Sequence, residues 1–274
     1  MKILLTGANG FIGHHIKQAF EEEHELITPS HQEADFNTAI KIEDWLPLLK
    51  DVDVVINSVG IIAEIKGQSF TRLHSDTPIA LFQACAKSDV KRVIQISALG
   101  ADENAFTPYQ TSKLAADNVL KDLSLLSFIL RPSLVYGEGG TSLAMFKRLA
   151  IFPILSLPDG GKQEIQPVHV SDLVTTIKQC LLAENSQIID VVGPHAITLA
   201  EYIQAIRNSK GKPKAKIISI PMKLVMLSAQ LGRYLIPMMH PDNLRMLQQG
   251  NTADVAPLIA FIGKPPLAVD EAMK

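Results

Sequence analysis

Short apolar runs alternate along the chain with stretches whose apolar positions recur at helical spacing. Lys2–Thr6 (KILLT) reads as a strand, and Phe11–Glu22 as a helix ending in the acidic run Glu21–Glu23. Glu25–Thr28 reads as a second short strand. Ile40–Leu49 carries apolar residues at Ile40, Trp45, Leu48 and Leu49 and reads as a helix, while the β-branched Val52–Asn57 reads as a buried strand. A helix over Thr77–Lys87, a strand over Arg92–Ser97, a helix over Ser112–Leu123 and a strand over Leu126–Leu130 follow. This alternation predicts βαβ units, a parallel sheet and right-handed crossovers, an α/β fold of the doubly wound, Rossmann type.

After Tyr136 the pattern loosens. Glycines and prolines cluster at Gly137–Gly140 and Pro158–Gly161. Ile188–Val192 reads as a strand, Leu199–Ile206 as a helix, and the basic Gly211–Lys216 as a surface loop. Pro221–Leu247 reads as amphipathic helices. Its Met- and Leu-rich part, 221–239, contains Met222, Met226, Met238 and Met239 among Leu224, Leu227, Leu231 and Leu235. Such a stripe suits a helix in the core of a small lobe, or a surface for a protein partner, a greasy substrate or a membrane face. The expected domains are 1–200, with a substrate-side insertion around 137–166, and a small C-terminal lobe over 201–274.

Composition narrows the function classes. The chain has 274 residues, 47% of them hydrophobic and 20% charged, which is globular and not disordered. A net charge of −2 without Lys/Arg runs argues against nucleic acid as the main partner. The two cysteines, Cys85 and Cys180, stand far apart, so neither a disulfide framework nor a Cys-based metal site is expected and a reducing compartment is the default. The uncharged run Ile3–Ile16 is too short and too glycine-rich to span a bilayer. The expectation is a cytoplasmic protein with no transmembrane segment.

The most specific local pattern is Thr6-Gly7-Ala8-Asn9-Gly10-Phe11-Ile12-Gly13. Three glycines at G-x-x-G-x-x-G spacing follow a strand and open a helix. Such glycines permit a tight turn and close approach of backbone to a pyrophosphate, while the helix N-terminus offers free N–H groups and a positive dipole end. Gly7, Asn9, Gly10, Phe11, Ile12 and Gly13 are therefore the candidate pyrophosphate loop.

This spacing resembles the short-chain dehydrogenase/reductase superfamily, in particular its extended and atypical branches with TGATGFIG-like loops. Further segments carry the resemblance in the expected order over about residues 1–200. Ala34-Asp35-Phe36 resembles the adenine-contacting acidic position, implying roles for Asp35 and Phe36. Asn57-Ser58-Val59-Gly60 resembles the segment lining the adenosine side, implying Ser58, Val59 and Gly60. Tyr109-Gln110-Thr111-Ser112-Lys113 matches Y-x-x-x-K. Leu130-Arg131-Pro132-Ser133-Leu134-Val135-Tyr136-Gly137 resembles the segment flanking the nicotinamide, implying Pro132, Ser133 and Val135. Pro167–Leu173 resembles an element of the extended branch that supports the substrate side, which makes His169 and Asp172 structural and leaves no metal site expected. The tail Asn251–Met273 resembles bacterial proteins related to the NADPH-binding accessory subunit of respiratory complex I, in which the fold serves binding and assembly.

Nucleotide choice is read from the end of the second strand, Thr28-Pro29-Ser30-His31. No carboxylate stands in that tetrapeptide, and Ser30 and His31 could hydrogen-bond a 2′-phosphate, so NADP(H) is favoured over NAD(H). On a helix, Tyr109 and Lys113 share one face. A neighbouring ammonium is expected to lower the tyrosine pKa and fit it for proton exchange with a carbonyl or alcohol during hydride transfer. The family's third catalytic hydroxyl falls on Ser97, with Ala98 in the position used by many extended members; Thr107 and Ser133 are alternatives. Two functions follow: an NAD(P)H-dependent oxidoreductase or epimerase-like enzyme acting on a small molecule, or a non-catalytic NADPH-binding sensor or assembly factor.

Overall fold

A computed structural model describes residues 1–65, 67–232 and 240–273. Contacts divide the chain into two units, Met1–Arg131 with Val174–Ile189, and Pro132–Leu173 with Asp190–Lys274. The second unit takes in the segment 137–166, expected on the substrate side, together with 201–274. The chain changes unit within strand and helix segments, so composition alone offers no linker to read.

The first unit begins with β1 (Lys2–Thr6), α1 (Phe11–Phe20), β2 (Glu25–Ile27), α2 (Ile42–Trp45) and β3 (Val54–Asn57). A six-residue π-helix, Thr71–Asp76, runs directly into α3 (Thr77–Ala86), followed by β4 (Arg92–Ile96), α4 (Pro108–Asp122) and β5 (Leu126–Pro132). The helix expected over Ile40–Leu49 is α only to Trp45. Pro47 lacks the donor an α-helix needs, and Leu46–Leu49 is a 3-10 turn. Helix α4 starts four residues before Ser112, because Thr107 caps it by accepting the Gln110 amide at 3.3 Å.

In the second unit β6 (Val135–Tyr136), α5 (Thr141–Leu149), β7 (Ile154–Pro158), β8 (Glu164–Ile165) and β9 (Val168–His169) come first. Helix α6 (Val170–Leu182) and strand β10 (Gln187–Val191), like the end of β5 before them, are segments in which the chain crosses between units. Then follow β11 (Ile197–Thr198), α7 (Leu199–Ser209), β12 (Lys216–Ile220), α8 (Met222–Gly232), α9 (Pro241–Gln249), α10 (Ala256–Ile262) and α11 (Val269–Ala272). Strand β12 runs parallel to β7, a ribbon absent from the sequence expectation, and the basic loop ends where β12 begins. Of the Met- and Leu-rich segment, 233–239 lie outside the described residues.

The central sheet has six strands in the order β10-β5-β4-β3-β1-β2, with β1 parallel to β2 and β3, β3 to β4, and β4 to β5. Order reverses at β1/β3. In open α/β sheets this is where a crevice opens beyond the carboxyl ends of the strands. The middle strands are buried on both faces: Leu4, Val55, Val93 and Ile129 join Leu81, Phe82 and Trp45 in one core. The Trp45 indole N–H donates to the Ala39 carbonyl at 2.9 Å and its ring meets Phe36 edge-on, which fixes the long connection between β2 and β3.

Candidate active site

The loop between β1 and α1 is the tightest backbone packing at the switch point. Gly7 has φ +75°, and a Cβ there would lie 2.8 Å from Ser58 Oγ. At Gly13 a Cβ would lie 2.0 Å from the Gly7 carbonyl oxygen, so any side chain would drive the helix away from the loop. Ser58 closes the other side, donating its hydroxyl to the Thr6 carbonyl at 2.7 Å. Gly10 is the N-cap of α1; no side chain caps the helix and its first turn holds no acid. The leading N–H groups of a ten-residue helix are thereby left to a ligand.

Beside this loop, α4 presents Tyr109 and Lys113. Lys113 is buried; its Nζ donates to the Val59 carbonyl at 3.1 Å and the Ile96 carbonyl at 3.0 Å, tying α4 to the ends of β3 and β4. Burial lowers its pKa to about 8, with Asp117 one turn further along pushing it back up. Tyr109 departs from expectation. Burial pushes its phenol up to about 12, so it rests protonated, and the ammonium is spent on two carbonyls.

The candidate third hydroxyl, Ser97, is engaged in a bond to α4. Ser97 is buried and donates to the Asp117 carboxylate on α4, so it faces the helix packed against the sheet. Burial raises the pKa of that carboxylate to about 6, while Ser97, Lys113, Arg131 and Gln95 pull it down. Thr107 is committed to capping α4. In the second unit Ser133 donates to the Gln166 carbonyl at 2.5 Å, on the segment that also contains Pro132 and Val135.

A residue the sequence reading missed, His74, occupies the wall next to Tyr109. It lies in the π-helix and is fully buried. Its Nε2 accepts the Ile61 amide at 3.0 Å, which fixes the proton on Nδ1, and Nδ1 stands 3.1 Å from Ser112 Oγ. Ser112 in turn donates to the Tyr109 carbonyl at 2.9 Å. The His74 ring meets Tyr109 edge-on at 5.5 Å and stacks on Phe70 at 5.3 Å. Burial, reinforced by Lys113, holds the imidazole neutral, with its pKa down to about 2. A π-turn widens the helix locally, and such turns concentrate at functional sites. The available signal was Phe70 and His74 at i,i+4 ahead of Thr77-Pro78.

Two nucleotide-side expectations change. A carboxylate does stand after β2: Glu33 accepts both the Ser30 amide and the Ser30 hydroxyl at 2.8 Å, and these bonds lower its pKa. The signal was the S-x-x-E spacing of Ser30 and Glu33, a capping-box pattern. The Ser30 hydroxyl is thereby engaged, and His31 lies 3.9 Å from Asp35. Asp35 Oδ1 accepts the Asn37 amide at 2.9 Å and its side-chain N–H at 3.0 Å; the Phe36 ring belongs to the core and its carbonyl accepts the Thr77 hydroxyl at 2.6 Å, leaving that residue's backbone N–H for any ligand. Among the described residues no cluster of three metal-ligating side chains occurs; Asp172 accepts the Leu267 amide at 2.9 Å.

Known proteins resemble this chain in sequence and in fold. The model of the NAD dependent epimerase/dehydratase family matches residues 3–192. The mitochondrial 40 kDa subunit of NADH-ubiquinone oxidoreductase from Neurospora crassa is 27% identical over 175 residues, 63% of this chain and 46% of that protein. A ceramide reductase from Caulobacter vibrioides is 26% identical over 187 residues, 62% of this chain and 57% of that protein. The chain thus spans about half the length of these relatives. Among solved structures, UDP-glucuronic acid 4-epimerase from Bacillus cereus, in complex with UDP-glucuronic acid and NAD, shares the fold with a TM-score of 0.75 at 18% identity, covering 100% of this chain and 96% of that one.

Proposed function

The chain belongs to the NAD dependent epimerase/dehydratase family, and on that premise we propose that it is a nicotinamide-nucleotide-dependent oxidoreductase or epimerase-like enzyme acting on a carbonyl or alcohol. The observation that carries the reading is the Gly7–Gly13 contact under an uncapped α1. It leaves backbone N–H groups and no side chain where a pyrophosphate would lie. Gly7, Asn9, Gly10, Phe11, Ile12 and Gly13 would seat the pyrophosphate, Asp35 and the Phe36 backbone N–H the adenine, and Ser58–Gly60 the adenosine side. Lys113, with two of its three N–H groups in use, would give the third to the ribose. Bound there, the nucleotide supplies hydride exchange.

Tyr109 gives or takes the proton at its phenolic oxygen. With a pKa pushed to about 12 it is a proton donor across the neutral range, which suits reduction of a carbonyl. His74 acts through Tyr109, packing its ring and, by way of Ser112, holding its backbone carbonyl. Glu33 argues for the nucleotide with a free ribose 2′-hydroxyl, because a carboxylate on Ser30 repels a 2′-phosphate. We therefore favour NAD(H), reversing the preference for NADP(H) drawn from Ser30 and His31.

One observation supports a second reading, a nucleotide-binding protein without turnover. Ser97, Thr107 and Ser133 each spend their hydroxyl on a structural bond. A fluorescence titration with NADH and NADPH, on the wild type and on Gly10→Asp, tests the common core of both. Aspartate is a favourable N-cap, so the variant should fold, but its charge sits where the pyrophosphate would bind. The reading requires NADH to bind the wild type more tightly than NADPH, and Gly10→Asp to lose both; equal titration of the two proteins sinks it. Turnover of a carbonyl panel then separates the enzyme from the binding protein.

A further inference from the structure

The second unit presents an apolar face whose rim is basic. Ile151, Phe152 and Ile154, in the turn after α5 and the start of β7, are each more than half exposed. The β7–β12 register sets Lys216 beside Ile154 and Ile218 beside Ser156, so the ribbon turns isoleucine and lysine outward while Leu155 and Leu157 enter the core. The next element, α8, leaves Leu224 and Leu227 exposed, 58% and 60%, one helical turn apart.

This exposure is built into the fold. Arg207 is buried, and its guanidinium donates to the Ala150 and Phe152 carbonyls at 2.6 and 2.7 Å and, through Nε and Nη2, to the Pro213 carbonyl at 3.1 and 2.7 Å. The Lys216 amide donates to the Pro153 carbonyl at 2.9 Å. The apolar turn and the basic loop are therefore clamped together.

Charge identifies the occupant. Between Glu201 and Asp242 the sequence holds no acidic residue, yet it places Lys210, Lys212, Lys214, Lys216 and Lys223 there, and α5 ends in Lys147 and Arg148. Asp159, the acid at the end of β7, is taken by the Met222 amide at 3.0 Å. A chain of net charge −2 thus concentrates cations around exposed aliphatic and aromatic side chains. Protein interfaces deplete lysine, and nucleic-acid surfaces interleave stacking aromatics with their cations. Lysines around branched aliphatics match an anionic headgroup layer over acyl chains. Among the described residues no helix is long and apolar enough to cross a membrane, so the contact is superficial. We propose that this face docks the protein on a bilayer containing anionic phospholipid.

Flotation of the full chain with vesicles of phosphatidylcholine, alone or mixed with phosphatidylglycerol, tests the proposal. The protein should float with the mixed vesicles, fail to float with neutral ones, and detach at high salt. Lys214→Glu/Lys216→Glu and Phe152→Ser/Ile154→Ser should each weaken binding at least about tenfold, with thermal melting showing both folded. All four positions are exposed, so neither variant opens the core. Absence of flotation, equal flotation with neutral vesicles, or wild-type binding by both folded variants overturns the proposal. So does binding that survives loss of Phe152 and Ile154 but is displaced by polyglutamate, which would assign the face to an acidic protein.

Discussion

Lys113 Nζ donates to the Val59 carbonyl at 3.1 Å, so the helix bearing Tyr109 is fastened to the loop that packs against Gly7. A hydrogen bond from a charged donor contributes about 1.5–3 kcal/mol. Lys113→Met should therefore raise amide exchange over Ser58–Ile61 and weaken nucleotide binding roughly ten- to hundredfold. Exchange mass spectrometry and an NADH titration measure the two effects. Unchanged protection in the variant would mean that the loop holds itself.

Tyr109→Phe removes the acid and little else, since its hydroxyl has no hydrogen-bond partner among the described residues and its ring contacts to Phe70 and His74 survive in phenylalanine. Turnover should fall at least about a hundredfold while the nucleotide Kd stays within about threefold. In the wild type, carbonyl reduction should decline as pH rises through about 8, where Lys113 loses its charge, well before the phenol at about 12 titrates. A decline beginning only near pH 12 would remove Lys113 from the reaction.

The glycine loop, the βαβ order and the Tyr109–Lys113 pair were legible because each follows from short-range spacing. Strand period and helix period decide them before any tertiary contact forms. The face taken by Ser97 was not, since a side chain at the end of β4 turns by register, and register is set by partner strands. Glu33 was visible as S-x-x-E, but its return to Ser30 depends on the loop after β2. His74 was hidden because a π-turn has no sequence period of its own. The β7–β12 ribbon escaped because its outward positions mix apolar Ile154 and Ile218 with polar Ser156 and Lys216, which blurs the in–out alternation by which a strand is read.

Asp117 and His74 give stability opposite slopes with pH. The folded pKa of Asp117 is raised above 3.8 to about 6 by burial. Its contribution is fully present below pH about 4 and is lost as pH rises through about 6. Asp117→Asn lacks this loss. Its Tm relative to wild type should accordingly climb by a few degrees between pH 4 and 7, with most of the change complete by pH 6. A difference constant across that window would mean that the carboxylate ionises as freely in the fold as in the unfolded chain.

His74 runs the other way. Its folded pKa is lowered from 6.5 to about 2 by burial and then by Lys113. The stabilising contribution of the neutral ring is therefore present above pH about 6.5 and drains away as pH falls toward 2. His74→Phe keeps an aromatic ring against Phe70 and Tyr109 but leaves the half-buried Ile61 amide without its acceptor, at about 1 kcal/mol near neutrality. The variant should melt below wild type at pH 7, and the gap should narrow as pH is lowered to 4, because only the wild type must then keep an imidazole unprotonated. Loss of the Ser112 bond should also let Tyr109 shift, so kcat should fall more than nucleotide affinity. A melting gap that widens in acid would mean that His74 accepts a proton inside the fold.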